Sequence, residues 1–243
     1  MDVDAMSAFA VFDEQDSGCI SYGIESGGRR LFVKTATTAA AHQSLGRAIR
    51  FHRSVRHPSI VAPIDVVDTD DLRQLIYPWH DGVVLNHATV HGSDRSGLDR
   101  FHHLDPAEIL AAIDAVLDAH QAVAAAGFVS VDLYDGCFLY DFDSKTMRLI
   151  DLDEYRPRPF TIEGARLPGS TRYMAPEEFV HNASIDERTT VFHLGRTGSQ
   201  LLGESHLSPA QQQVIEVATR TGRDSRYPTV EAMVTAWRSA TSG

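Results

Sequence analysis

Residues 127–153, GFVSVDLYDGCFLYDFDSKTMRLIDLD, constrain this chain more than any other stretch. A helix-like run ends at Ala124, Ala125 and Ala126, and Gly127 stands where a helix-closing glycine belongs. The left-handed backbone that closes a helix costs glycine least. Two short apolar runs follow, Cys137-Phe138-Leu139-Tyr140 and Met147-Arg148-Leu149-Ile150, split by the polar turn Asp141-Phe142-Asp143-Ser144. This pattern predicts a β-hairpin. Asp132 enters it and Asp151 leaves it, so both carboxylates are expected to face one cleft. Such a pair suits one acid/base role and one metal role.

The length of 243 residues allows one large or two small domains, and the apolar content is that of a globular protein. The net charge of -11 argues against a nucleic-acid backbone or an anionic membrane as partner. No apolar run approaches the roughly 18 residues of a membrane span. The start, MDVDAMSAFAVFDEQD, lacks the basic region and apolar core of a secretory signal. Two cysteines, Cys19 and Cys137, build no disulfide framework, and the 12 histidines show no metal-ligand spacing. A cytoplasmic protein is expected.

Alternation and turn glycines predict strands over AFAVFDEQDSG, CISYGIES and RRLFVKTA. Lys34 closes the apolar Leu31-Phe32-Val33 and shares a face with Phe32. A lysine there is costly to bury unless its ammonium meets an anion, which marks a site; an edge-strand lysine is the other reading. A helix is predicted over 38–56, and a hairpin over IDVVDTDD and LRQLIYPW. After the polar loop HGSDRSG, Asp105, Pro106 and Glu108 open a long helix, with an apolar stripe of Ile109, Ile113, Val116, Leu117, His120, Val123 and Ala124. Downstream, EYRPRPFTIEGARLPGS reads as loop. Thr229 caps a last helix with a stripe of Val230, Met233, Val234 and Trp237.

The loop Ser130-Val131-Asp132-Leu133-Tyr134-Asp135-Gly136-Cys137, the hairpin and the triplet Asp151-Leu152-Asp153 follow the order of a known catalytic segment. The segment Gly169-Ser170-Thr171-Arg172-Tyr173-Met174-Ala175-Pro176-Glu177 is the most specific motif. Together with Lys34, His57-Pro58, Leu75-Ile76-Tyr77-Pro78-Trp79-His80 and Arg226-Tyr227, these resemble the protein kinase family, Ser/Thr type, over nearly the whole chain. The family patterns are His-Arg-Asp-Leu-x-x-x-Asn, Asp-Phe-Gly and Ala-Pro-Glu. Both aspartates are kept here, whereas the His, Arg, Asn and Gly are not.

The resemblance implies an α+β, bilobal protein kinase-like fold, with a small β-rich lobe over 1–80 and a larger helical lobe over 81–243. It implies ATP and Mg²⁺ as cofactors and phosphate transfer to a protein hydroxyl. Lys34 would hold the nucleotide phosphates, Asp132 would take the hydroxyl proton, and Asp151 would hold the metal. Gly18 and Ile20 would cover the phosphates, although Asp13 to Gly18 also reads as a plain acidic turn. Tyr77, Pro78 and His80 would border the base, with Phe32 narrowing the pocket. The second metal ligand falls on Cys137, so Asp153 or Asp135 is the candidate substitute, Asp135 also reading as a turn-stabilising residue. The helix glutamate that pairs with the lysine falls on Ala48, which leaves Asp151 or the nucleotide as the partner of Lys34. Thr190, at the start of a central helix, replaces the aspartate that pins the catalytic loop. Glu177 and Arg226 are expected to form a buried ion pair. Val131 replaces the loop arginine, so no requirement for phosphate on Thr161, Ser170 or Thr171 is expected. The alternative is a pseudokinase, a nucleotide- or protein-binding regulatory module. The partner is in either case a protein, substrate or regulator.

Overall fold

In the computed structural model, residues 8–14, 17–69, 71–203 and 207–241 are described. Part of the acidic turn, Gln15 and Asp16, lies outside them. The architecture is mixed α+β. The alternating N-terminal runs form a five-stranded antiparallel sheet of β1 (Ala8–Phe12), β2 (Cys19–Ser26), β3 (Arg29–Ala36), β4 (Asp65–Asp68) and β5 (Arg73–Pro78), in the order β1-β2-β3-β5-β4. Strand period sorts its residues by face. Ser21 lies opposite Lys34, Gly23 opposite Phe32, and these two β3 residues lie opposite Leu75 and Tyr77 of β5. The other face carries Ile24, Leu31, Val33 and Ile76 in a small cluster of their own.

Helix α1 (Ala39–Ser54) covers the Lys34 face. Thr38 caps it, accepting from the Ala41 N–H at 3.1 Å. Ala41, Leu45, Ala48 and Ile49 recur at helical spacing and pack on Cys19, Leu75 and Tyr77. The end of the helix, Phe51 with Val55, belongs instead to a larger core built by the remaining helices and the hairpin.

Those helices are α2 (Ser96–Phe101), α3 (Pro106–Ala125), α4 (Glu187–Leu202), α5 (Pro209–Ala218) and α6 (Val230–Thr241). Helix α3 begins on Asp105, which accepts from the Ala107 N–H at 2.8 Å, with Pro106 in its first turn. It buries the whole predicted stripe, at about 1.5–3 kcal/mol for each large aliphatic side chain. Gly127 closes it at φ 79°, donating to the Ala124 carbonyl. Helix α6 starts after Thr229 and buries Val230, Met233, Val234 and Trp237. Among the described residues no helix is long and apolar enough to cross a membrane.

The hairpin forms over Phe138–Asp141 and Thr146–Leu149, with Cys137 in a turn of 3-10 helix before it. It ties the chain together. Ile60 bridges to Leu149, and β6 (Val83–Val84) pairs with Leu139 and Tyr140.

Three local expectations need correction. Helix α4 begins at Glu187, before Thr190, because Asp186 accepts from the Arg188 N–H at 2.9 Å and caps it there. The polar loop after β6 contains a ladder of His87–Thr89 with Gly92–Asp94, then α2. The segment read as loop after Asp153 makes two short ladders, Arg156–Pro157 with Phe128–Val129 and Phe160–Thr161 with Ser184–Ile185. Their partners are distant in sequence, so no local pattern marks them.

Candidate functional site

A cavity of about 310 Å³ opens between the Lys34 face of the sheet, the end of β5 and the hairpin. Of the predicted residues, Lys34, Tyr77, Pro78, His80, Asp151 and Asp153 line it, as does Phe32. Gly18, Ile20, Asp132 and Asp135 are not among its lining residues. Sequence reasoning missed Phe12, Trp79 and His87, which add rings around Phe32; the Phe12 and Phe32 centroids are 5.8 Å apart. Aromatic residues in β1 and after β5 were visible, but only the register of the sheet aims them at one space.

Lys34 is 6 % exposed. Its ammonium donates to Asp153 Oδ2 at 2.5 Å and to Asp151 Oδ1. Burial pulls the lysine pKa down, and the charges of Asp151 and Asp153 overcome it, holding the ammonium well above the ordinary lysine range. Burial raises the Asp153 carboxyl, against the opposing charge of Lys34. The neighbouring Glu154 accepts from Ser44 Oγ at 2.7 Å and from Arg47, both on α1. Burial lifts Glu154, and its bonds to Arg47 and Ser44 outweigh that and hold its pKa below the usual value.

Asp132 and Asp151 both have φ 59°, a left-handed backbone uncommon for residues other than glycine. Between them sits Cys137, whose thiol donates to the Asp132 carbonyl at 3.3 Å and lies 4.0 Å from the Asp151 carbonyl. Burial, reinforced by the charges of Asp151 and Asp132, raises this thiol well above its ordinary pKa, so it stays protonated. The cavity therefore takes the Asp151 side chain, while half-buried Asp132 lies on the side of Gly169, whose added Cβ would come within 3.5 Å of the Asp132 Cα.

Three predicted assignments change. Ile20 lies opposite Thr35, so strand parity turns it away from the Lys34 face, and Ser21 takes that place. Gly18 packs against Thr38, and its carbonyl accepts from the Thr37 N–H at 3.0 Å and from the Thr37 hydroxyl at 2.8 Å. Asp135 is fully buried, with its oxygens taken by Arg172 at 2.7 and 2.8 Å and by Asn86 at 2.8 Å. A carboxylate so engaged serves as an internal anchor and not as a metal ligand.

One polar network holds the Asp132 loop. The Ser130 N–H donates to Thr190 Oγ1 at 3.1 Å, and the Ser130 hydroxyl is 2.8 Å from His193 Nδ1. His193 Nε2 is 2.6 Å from Glu178 Oε2. These contacts give the buried Thr190 and His193 of α4 their partners. Glu177 and Arg226 form a bidentate pair at 2.7 and 2.8 Å. Burial raises the Glu177 pKa, and Arg226 more than reverses this, leaving it below the usual value.

For a magnesium ion, Asp151 fits. It is a hard oxygen donor, its side chain is 38 % exposed, and it borders the cavity. Among the described residues no group of three or more His, Cys, Asp or Glu side chains is arranged to hold a metal. No protein-family model matches the sequence, and no curated protein matches it either.

Proposed function

We propose that this chain is a protein kinase-like phosphotransferase that takes ATP with Mg²⁺ and passes the γ-phosphate to a protein hydroxyl. In this reading residues 1–80 are the small lobe and 81–243 the large lobe of one bilobal domain, acting in the cytoplasm. The observation that carries it is Lys34, buried at the edge of an aromatic cavity with its ammonium on Asp151. A buried lysine bonded to the aspartate that leaves the hairpin suits phosphate binding beside a metal. The Glu177–Arg226 pair and the Thr190 contact to Ser130 support the same reading.

The residues then divide the work. Phe32, Tyr77 and the backbone at Pro78 and His80 border a flat base. Lys34 holds phosphate oxygens once they displace Asp151. Asp151 would hold Mg²⁺, which would neutralise charge on the phosphates. Asp132 orients the acceptor hydroxyl and takes its proton. Tyr134 stands near both aspartates, so the acceptor meets a phenol where this family usually offers a lysine.

Two observations favour a regulatory binding module instead. Lys34 already meets two carboxylates, and a thiol occupies the position of the usual asparagine ligand. Thermal unfolding with ATP, with and without Mg²⁺, separates the readings. A Mg²⁺-dependent rise in Tm supports the nucleotide site, and no shift at millimolar ATP refutes it. Asp132→Ala is expected to keep that rise and abolish transfer; transfer at the parent rate refutes the role of Asp132.

A further inference from the structure

Lys34 meets two carboxylates in different settings. The Asp151 side chain is 38 % exposed at the edge of the cavity, whereas those of Asp153 and Lys34 are each 7 % exposed. Residues on both sides of Asp153 are anchored. Leu152 is buried in the large core, and Glu154 is tied to α1 through Ser44 and Arg47 and to Arg156 at 3.3 Å. Asp153 is thus held in the interior between two anchored neighbours, whereas Asp151 stands at the open edge of the cavity. Helix α1 contains no acidic residue and offers Lys34 no counter-charge of its own.

From this we infer that Asp153 is the fixed counter-ion that positions Lys34, a role separate from metal binding, and that α1 steers the lysine indirectly through the Arg47–Glu154 pair. In this assignment Asp151 would be the carboxylate that turns to a bound metal, and Asp153 the one that keeps Lys34 in place. The inference rests on the nucleotide-site reading. It assigns Asp153 as a positioning residue in place of the metal ligand expected from the sequence.

The test is equilibrium binding of ATP to the full chain across a Mg²⁺ series, comparing the parent with Asp153→Asn. This variant keeps the shape and removes the charge. The expected result is a nucleotide Kd raised roughly tenfold, the worth of a charge-assisted bond, with the half-saturating Mg²⁺ concentration unchanged. An unchanged Kd overturns the inference. So does a loss that extra Mg²⁺ restores, which is the signature of a metal ligand. A double-mutant cycle in the apo protein provides a second test. Lys34→Met strands the buried Asp153 and lowers Tm, and Lys34→Met with Asp153→Leu recovers most of that loss. Additive losses overturn the pairing. A parent chain that binds no nucleotide refutes the nucleotide reading and the positioning role with it, while a cycle that still shows coupling leaves the buried pair itself intact.

Discussion

Replacing Glu177 by Gln strands a guanidinium that has no other anion in contact among the described residues. The Arg226 side chain is fully buried. It gives Glu177 two bonds, at 2.7 and 2.8 Å, and it stacks over Phe192 at 4.8 Å. Its remaining donors reach three carbonyls, those of Arg220 at 2.7 Å, Arg188 at 3.1 Å and Thr221 at 3.3 Å. Breaking a buried pair from one side costs about 3–5 kcal/mol. The three carbonyls keep the guanidinium partly satisfied, which puts the loss near the lower end, about 3 kcal/mol. For a chain of this size that lowers Tm by roughly 6–12 °C. Thermal and urea unfolding, followed by circular dichroism, measure it. Because the folded Glu177 pKa lies below its unfolded value, the pair contributes fully above the ordinary glutamate pKa and fades as pH falls through the folded value. The parent and Glu177→Gln should therefore converge in acid. A loss under about 1 kcal/mol at pH 7, the worth of a surface pair, refutes the reasoning. A Glu177→Ala, Arg226→Ala cycle without coupling refutes it too.

Two further predictions concern buried groups, and a third concerns the segment after Asp153. Burial pushes His120 down to about 4, with its Nδ1–H donating to the Val116 carbonyl at 2.7 Å and its Nε2 accepting from the Tyr155 hydroxyl at 2.8 Å. The unfolded chain takes this proton near pH 6.5 and the folded chain refuses it until about 4, so roughly 3 kcal/mol of stability is lost across that window; His120→Gln should flatten the pH slope of unfolding by about one proton, and an unchanged slope refutes the assignment. Arg172→Ala strands Asp135 and should cost about 3 kcal/mol in urea unfolding, with Arg172→Lys recovering only part because lysine cannot repeat the two-bond contact; full rescue by lysine refutes the bidentate role. Thr161 borders a second cavity, of about 420 Å³, with Arg47, Arg50 and Arg156, but Glu154 already meets two of those arginines and Val131 adds no cation. Replacing Thr161, Ser170 and Thr171 by Ala should leave phosphate transfer at the parent rate, and a loss of transfer would overturn that expectation.

Local chemistry was legible in the sequence wherever one element decided it. Asp105 with Pro106 starts α3, Gly127 ends it, Thr229 starts α6, and the periodic stripes of both helices are the faces they bury. The hairpin between Asp132 and Asp151 needed only two apolar runs and a polar turn. The requirement that Lys34 meet an anion was also readable, because desolvating an ammonium inside an apolar strand is costly whatever surrounds it.

Asp151 was named as a partner from the sequence, but the second carboxylate, Asp153, was not. Asp151 and Asp153 stand 117 and 119 residues beyond Lys34, and only the packing of β3 against the segment leaving the hairpin decides that Asp153 takes the inner place and Asp151 the open one. The fate of Asp135 turns on Arg172, 37 residues away, and the orientation of Ile20 on a register in which one step reverses the face. Capping, periodicity and turn formation are set by neighbours along the chain, whose chemistry the sequence displays directly. The choice among several carboxylates for one buried cation is set by distance and desolvation in the assembled molecule, which adjacency in sequence does not encode.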